Sequence, residues 1–476
     1  MIDKSLERIN TKSISLRSEK KAIPVYFSTN ISKIKKKLTS ANYNFLKALG
    51  FNSIYGDWVV LSDTNGQISA VIVGLKKIKK NYSKFLIGSI LSKLPKGTYF
   101  LKNIPKTEDI NLLALGFFLS FYSFKDFDKK IKHGKNTVSP ILSLPNFPNL
   151  DKTLYLAESE FIVRDLINLP ANILNPDYFE SYVKKFSNFH NTKLKVVFGN
   201  DLKKNFPLIH EVGKASSKKP RFLELTHKGS SKSFNITLIG KGVCFDSGGL
   251  NLKSSSGMLN MKKDMSGAAS VLGLAHYLIR SNLKLNLRIL IPCVENSVSG
   301  KSFRPGDILI SRSGMGVEIK NTDAEGRLIL ADTLTYATEK NTDILVTFAS
   351  LTGAARVAMG TDITPFFSTS NKFANLLKKC GDKMQDPVWQ LPFYEDYNNE
   401  LSSTITDLNN APLGGMAGAI TAALFLKKFT NNHKMFLHFD IYGWNTKSRP
   451  AKTYGGLMQG VRSLGAAIEE KISTSY

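Results

Sequence analysis

Between Lys193 and Ile441 the chain repeats one pattern: a short apolar run, then a longer stretch with helical spacing. Lys193–Phe198, Ile236–Ile239, Leu287–Val294, Ile344–Ala349 and Phe436–Ile441 read as strands. Helical stretches such as Gly267–Arg280 and Ala417–Phe429 lie between several of them. Strands alternating with helices predict a mostly parallel sheet covered on both faces. The expected fold class is therefore α/β, with a mostly parallel mixed sheet flanked by helices in the C-terminal domain. Ligand sites in such sheets form at the carboxyl ends of the strands. The polar residues that follow each strand are thus the ones to weigh.

The 476 residues exceed one ordinary domain. Trp58–Ser62, the turn residues Asp63–Gly66 and Ile68–Val73 predict a hairpin, and Phe85–Leu94 and Ile110–Phe124 predict helices. Lys129–Pro148 is rich in Lys, Pro, Asn and Ser without periodicity, and is expected to be a linker or its approach. Glu158–Leu169 has helical spacing and stops at Pro170. A smaller N-terminal α/β domain over 1–145 and a C-terminal domain over 146–476 follow.

Charge is uneven. Residues 1–150 carry 25 Lys and Arg against 9 Asp and Glu, and the other 326 carry 40 against 29. Such asymmetry fits a nucleic-acid footprint. However, 53 of the basic residues are Lys and 12 are Arg; phosphate recognition would use more Arg. Nucleic-acid binding through the basic N-terminal domain is therefore the alternative reading, with general lysine enrichment as the competing explanation. Cys244, Cys293 and Cys380 are sparse and cannot all pair, which argues for a reducing compartment. The opening MIDKSLERINTK has no apolar core of a signal peptide. Asn111–Phe124 is shorter than the roughly 20 residues that span a bilayer. The expectation is a cytoplasmic protein with no membrane partner.

Three clusters follow the expected strands. Lys241, Asp246 and Lys253 lie in or beside Gly240–Gly249, read as a glycine-dense, flexible turn, which fits neither phosphate-binding glycine motif. Asp264 stands at the start of the helix Gly267–Arg280, where a plain N-cap is the simpler role. In Asn321–Leu328, an extended backbone would point Asp323, Glu325 and Arg327 the same way. Paired carboxylates repel unless cations lie between them. The clusters supply four carboxylates and two lysines and no histidine. That donor set suits two divalent cations, which activate a bridging water and polarise a carbonyl. A ligating lysine must be neutral; a charged one could instead stabilise an oxyanion. Asp440 and His438 in the strand Phe436–Ile441, and Asp332 after the third cluster, are expected to be structural, as buried hydrogen-bonded polar residues usually are.

NTDAEGRL at Asn321–Leu328 resembles the signature of the leucine aminopeptidase (cytosol aminopeptidase) family. RDLINLPAN at Arg164–Asn172, GKGVCFDSGG at Gly240–Gly249, MKKDMSGAA at Met261–Ala269, VENSVSGKSFRPGD at Val294–Asp307 and SLTGA at Ser350–Ala354 agree in order and spacing. The resemblance runs from about Arg164 to the C-terminus. The first 150 residues share only the plan of a separate α/β domain.

The resemblance implies a leucyl-type metalloexopeptidase. Lys241, Asp246, Asp264, Asp323 and Glu325 fall on its metal ligands, with Asp246 and Glu325 on those that bridge both ions. Lys253 and Arg327 fall on its catalytic positions: one polarises the scissile carbonyl, the other holds a bicarbonate that acts as general base. Met261, Thr352, Gly353 and Ala354 match substrate-binding positions. The implied cofactors are two divalent ions per subunit, Mn²⁺ or Zn²⁺ first, then Mg²⁺ or Co²⁺. The implied partners are peptide substrates, and the implied assembly is a homohexamer. Ser266 departs from the glycine usual at its position, and Leu169 from the usual Thr or Ala.

Overall fold

The structure, a computed structural model, describes residues 5–6, 9, 11–19, 21–78, 82–128, 140–145, 147–229, 233–412 and 414–474. Its contacts divide the chain into two compact units. One is formed mainly by 158–446 and 454–476, the other by the described residues of 6–157 with 447–453.

The smaller unit holds a six-stranded sheet in the order Ile14–Ser15, Ile141–Ser143, Thr98–Leu101, Ile23–Ser28, Ile68–Gly74, Trp58–Ser62. All neighbours are parallel except the last pair, the expected hairpin. Asp63 shapes its turn by accepting from the backbone N–H groups of Asn65 and Gln67, each at 2.9 Å. The helices Leu86–Leu91 and Ile110–Leu119 are shorter than their apolar runs suggested. Asp109 caps the second by accepting from Asn111 N at 2.8 Å. The stretch expected as linker contains the strand Ile141–Ser143, while 129–139 lie outside the described residues. No helix among the described residues is long and apolar enough to cross a membrane.

The larger unit is built on a sheet of nine strands. Four central strands run parallel in the order Phe436–Asp440, Ile344–Ala349, Phe234–Gly240, Leu285–Asn296. Their side chains are nearly all buried, as helices on the faces require. The antiparallel Arg221–His227 and Lys193–Phe198 extend one side, and Thr364–Ser368 with Val388–Gln390 the other. Gly242–Asp246, read from sequence as part of a flexible turn, is instead a short strand parallel to the end of Leu285–Asn296. Val243 and Cys244 are buried in the sheet, so the glycines bracket a strand.

The chain leaves Phe234–Gly240 toward Leu285–Asn296 on one side and returns to Ile344–Ala349 on the other. The carboxyl end of Phe234–Gly240 is thus a switch point, where loops diverge and leave a crevice. Lys241, the next residue, is pinned there by its backbone. Its N–H donates to Phe348 O at 3.0 Å, and its C=O accepts from Ala268 N at 2.9 Å, at the start of helix Ser266–Arg280.

Candidate metal centre

Six of the seven charged residues singled out from sequence converge at that crevice. Lys241 Nζ lies 2.8 Å from Asp264 Oδ2 and 2.8 Å from Glu325 Oε1, and donates to Ser350 O at 3.0 Å. Lys253 Nζ lies 2.8 Å from Asp246 Oδ2 and also pairs with Asp323 Oδ1. Asp246, Asp323 and Glu325 each present a carboxylate oxygen, all within 4.8 Å of one another. Asp246, Asp264, Glu325 and Lys241 are buried.

The local structures that achieve this differ from two expectations. The segment around Asp323 is not extended: Glu325 begins the helix Glu325–Thr338. Asp323 and Glu325 meet because the chain turns between them, not because alternation aligns them. Arg327, on the same helix, makes no ion pair with the cluster: its Nη1 donates to Asn410 O at 2.7 Å, and Asp440 and Glu325 are near enough to act on its charge. Asp264 is not an N-cap either. It sits in the 3₁₀ turn Met261–Met265, and its Oδ1 accepts from Ser350 Oγ at 2.7 Å. The helix that follows has Met265 at its cap position and no side-chain cap. Asp332 and Asp440 are structural as expected. Asp332 accepts from Leu208 N at 2.8 Å and Arg312 N at 2.7 Å. Asp440 accepts from the N–H groups of Leu351 and Thr352, which holds the loop after Ile344–Ala349. His438 is buried against Thr347, with Nδ1 and Oγ1 2.8 Å apart.

Asn296 was not singled out from sequence. Its amide donates to Asp246 Oδ1 at 2.9 Å and Thr322 O at 3.0 Å, and lies 3.5 Å from Glu325 Oε2. It orients two carboxylates at once. The only sequence signal was its place in VENSVSG, beyond the strand end. Ser266 is accommodated without distortion because Gly443 faces it; a Cβ at Gly443 would lie 2.5 Å from Ser266 Cβ.

The electrostatics are those of crowded carboxylates. Burial, with repulsion from Asp246, pushes Glu325 up to about 8 and Asp323 up to about 6. Burial also raises Asp264. For Lys241, burial favours the neutral amine, but Asp264, Glu325 and Asp246 outweigh it and raise its pKa. Lys253 is raised in the same way by Asp246, Glu325 and Asp323. Lysine is thus the charge that neutralises this cluster in the protein alone.

The donors fit divalent cations. Asp264 Oδ2 and Glu325 Oε1 are buried and accept no aligned hydrogen bond, although each lies close to Lys241 Nζ. Buried acceptors left in that state are costly unless something positive completes them. Arg327 fits an anion: its Nε is buried without a hydrogen-bond partner, and burial lowers its pKa to about 10.

A cavity of about 330 Å³ opens onto the cluster. Met261, Thr352 and Gly353 line it; Ala354 does not, and packs instead toward Ala355, Phe367, Ala419 and Ala423. Lys263 and Tyr442 also line it, and neither was singled out from sequence. Burial lowers the Lys263 ammonium to about 8.

A parallel α/β sheet with buried carboxylates and lysines at its switch point, open to a substrate-sized cavity, defines a metal-dependent hydrolase. Comparison with known proteins makes this specific. Residues 161–465 match the cytosol aminopeptidase family, catalytic domain, and 30–140 match the M17 aminopeptidase N-terminal domain. The chain belongs to the cytosol aminopeptidase family and is a metal-dependent exopeptidase acting on peptides. The likeness thus extends into the N-terminal domain, further than the motifs alone indicated. The cytosol aminopeptidase of Encephalitozoon cuniculi is 33% identical over 445 residues, 90% of either chain. A probable cytosol aminopeptidase of Clostridium perfringens is 38% identical over 66% of this chain and 65% of its own length. The crystal structure of cytosol aminopeptidase from Coxiella burnetii superposes with a TM-score of 0.88 at 34% identity, covering 97% of this chain and 99% of that one. The bottromycin maturation enzyme BotP in complex with Mn superposes at 0.83 with 26% identity, covering 97% and 100%.

Proposed function

We propose that this enzyme releases N-terminal residues of leucine type from peptides at a two-cation centre held by Lys241, Asp246, Asp264, Asp323 and Glu325. The observation that carries the reading is the meeting of three carboxylates within 4.8 Å of one another beside Lys241 and Asp264. Asp246 and Glu325 would be the ligands shared by the cations, and Asn296 keeps their oxygens oriented. Two divalent cations, Mn²⁺ or Zn²⁺ before Mg²⁺ or Co²⁺, supply the Lewis acidity that polarises a peptide carbonyl and makes water nucleophilic near neutral pH. To ligate a cation, Lys241 would have to lose its proton to solvent, which the charge of the bound cations would favour. Lys253 stays charged at the cavity wall, where its ammonium can stabilise developing negative charge on the carbonyl oxygen. Arg327, whose buried Nε has no hydrogen-bond partner, would hold bicarbonate, which would supply a general base. Met261, Thr352 and Gly353 bound the space for the substrate, with Ala354 behind them. The family likeness supports a homohexamer working in the cytoplasm.

The test is hydrolysis of leucine p-nitroanilide by metal-stripped protein, with and without Mn²⁺ or Zn²⁺, beside the N-acetylated substrate. Metal content is read by elemental analysis. Two ions bound per subunit with cleavage of the free amine only is the expected result. Uptake of a single ion, or equal cleavage of the acetylated substrate, would overturn it. Light scattering that gives a mass other than six subunits would remove the hexamer.

A further inference from the structure

Two cations in the cavity wall are not used by the metal centre. Lys263 is only 4% exposed, yet its ammonium makes no hydrogen bond or ion pair with any described residue. It lies over the Tyr442 ring, 4.5 Å from the centroid. The exposed Arg356 lies over the same ring at 5.2 Å. All three side chains line the cavity that contains Asp246, Asp264 and Asp323. The other cavity lysines differ: Lys241 and Lys253 are each engaged by two carboxylates.

Asp264 acts on its charge from beyond ion-pair distance, and a buried ammonium with a ring face as its only close partner keeps much of its desolvation cost. The complementary group is an anion brought in by whatever fills the cavity. We infer that Lys263 and Arg356, spaced by Tyr442, form a carboxylate-binding wall that admits aspartate or glutamate as the N-terminal residue of the substrate. This deepens the proposed aminopeptidase reading and rests on it: the substrate amine lies at the carboxylate cluster, and the side chain of the same residue reaches the wall beside Met261. Acidic residues are then accepted alongside leucine-type ones, whose apolar side chains contact Met261 and the Tyr442 ring.

The experiment compares kcat/KM for α-glutamyl p-nitroanilide and leucyl p-nitroanilide in the metal-replete parent, Lys263→Met, Lys263→Arg and Arg356→Gln. Isothermal titration of L-glutamate and L-leucine adds a readout without turnover. The parent is expected to cleave the glutamyl substrate within about tenfold of the leucyl one. Lys263→Met and Arg356→Gln each lower the glutamyl-to-leucyl ratio by about 10- to 100-fold, the range for losing a charge-assisted contact. Lys263→Arg keeps most of the ratio, and glutamate affinity follows the same order. Arg356→Gln, at an exposed position, guards against a folding defect at Lys263. Ratios that do not move, or a parent that cleaves leucyl substrate and not glutamyl, overturn the inference. So does a ratio that moves only between Leu-Glu-amide and Leu-Leu-amide, which would assign the wall to the second residue. Failure of every substrate with every metal instead sinks the aminopeptidase reading, and this inference with it.

Discussion

Replacing Gly326 by alanine tests the centre through one methyl group. Gly326 is the second residue of the helix Glu325–Thr338, and a Cβ there would lie 2.7 Å from Lys241 Cε, 2.8 Å from Nζ and 2.9 Å from Cδ. Ordinary contact begins at 3.4 Å, so the lysine must move by at least about 0.7 Å. Its end is not free to do so cheaply, because Asp264, Glu325 and Ser350 O hold it. Alanine gains up to ~1 kcal/mol of helix propensity over glycine. Overpacking costs ~1–3 kcal/mol, so the net loss of stability is at most about 3 kcal/mol. The larger effect falls on chemistry, where a shift on the order of 1 Å in a catalytic group costs about 100-fold. The assay is kcat for leucine p-nitroanilide, with Tm and metal content measured on the same samples. Gly300→Ala is the control, since a Cβ there meets nothing within 4 Å. A Gly326→Ala protein with full metal content and kcat within threefold of the parent would refute the placement of Lys241 in the centre.

Three further outcomes are expected. Asp323→Asn and Glu325→Gln abolish turnover and leave the far-ultraviolet circular dichroism unchanged; an active, metal-replete variant would remove them from the ligand set. Asn296→Ala weakens metal binding by about 10- to 100-fold, as loss of a ligand-orienting hydrogen bond does, measured by chelator competition; unchanged affinity would make Asn296 merely structural. The metal-stripped protein loses stability as pH rises. Glu325 near 8 and Asp332 near 7 are raised above their ordinary values of 4.5 and 3.8, so the folded state binds more protons than the unfolded state between those limits. Buried His190 and His438, lowered to about 3, oppose this only below their ordinary 6.5, and Lys263, lowered from 10.5 to about 8, opposes it only as pH reaches about 8. Denaturant titrations from pH 6.5 to 8 should therefore show falling stability, with a smaller slope in Glu325→Gln. A flat profile in both proteins would contradict the crowded-carboxylate picture.

Much of the architecture was readable along the chain because strand runs and helical spacing are local signals. The alternation from Lys193 to Ile441 predicted the parallel centre of the sheet, and the polar residues after each strand are the ones at the crevice. Elements whose signal is short or mixed escaped. Gly242–Asp246 looked like a glycine turn because five residues between glycines carry too little periodicity to mark a strand. Ile141–Ser143 was hidden in a polar stretch because three residues suffice when neighbouring strands supply the hydrogen bonds.

Sequence alone picked out the six charged side chains that meet at the crevice: Lys241, Asp246, Lys253, Asp264, Asp323 and Glu325. How they meet was decided by tertiary structure. Asp264 reads as a helix cap until Ser350 and Lys241, from two other strand ends, are seen to claim its oxygens. Asp323 and Glu325 converge through a turn into a helix and not through an extended backbone. Lys263 and Tyr442 carry no local mark, and Asn296 only its place in VENSVSG, since an amide, a lysine and a tyrosine are ordinary until packing places them against a carboxylate or a cavity. The reason is range: periodicity and capping act over a few residues, whereas burial and electrostatic coupling depend on groups from separate segments that only the folded sheet brings together.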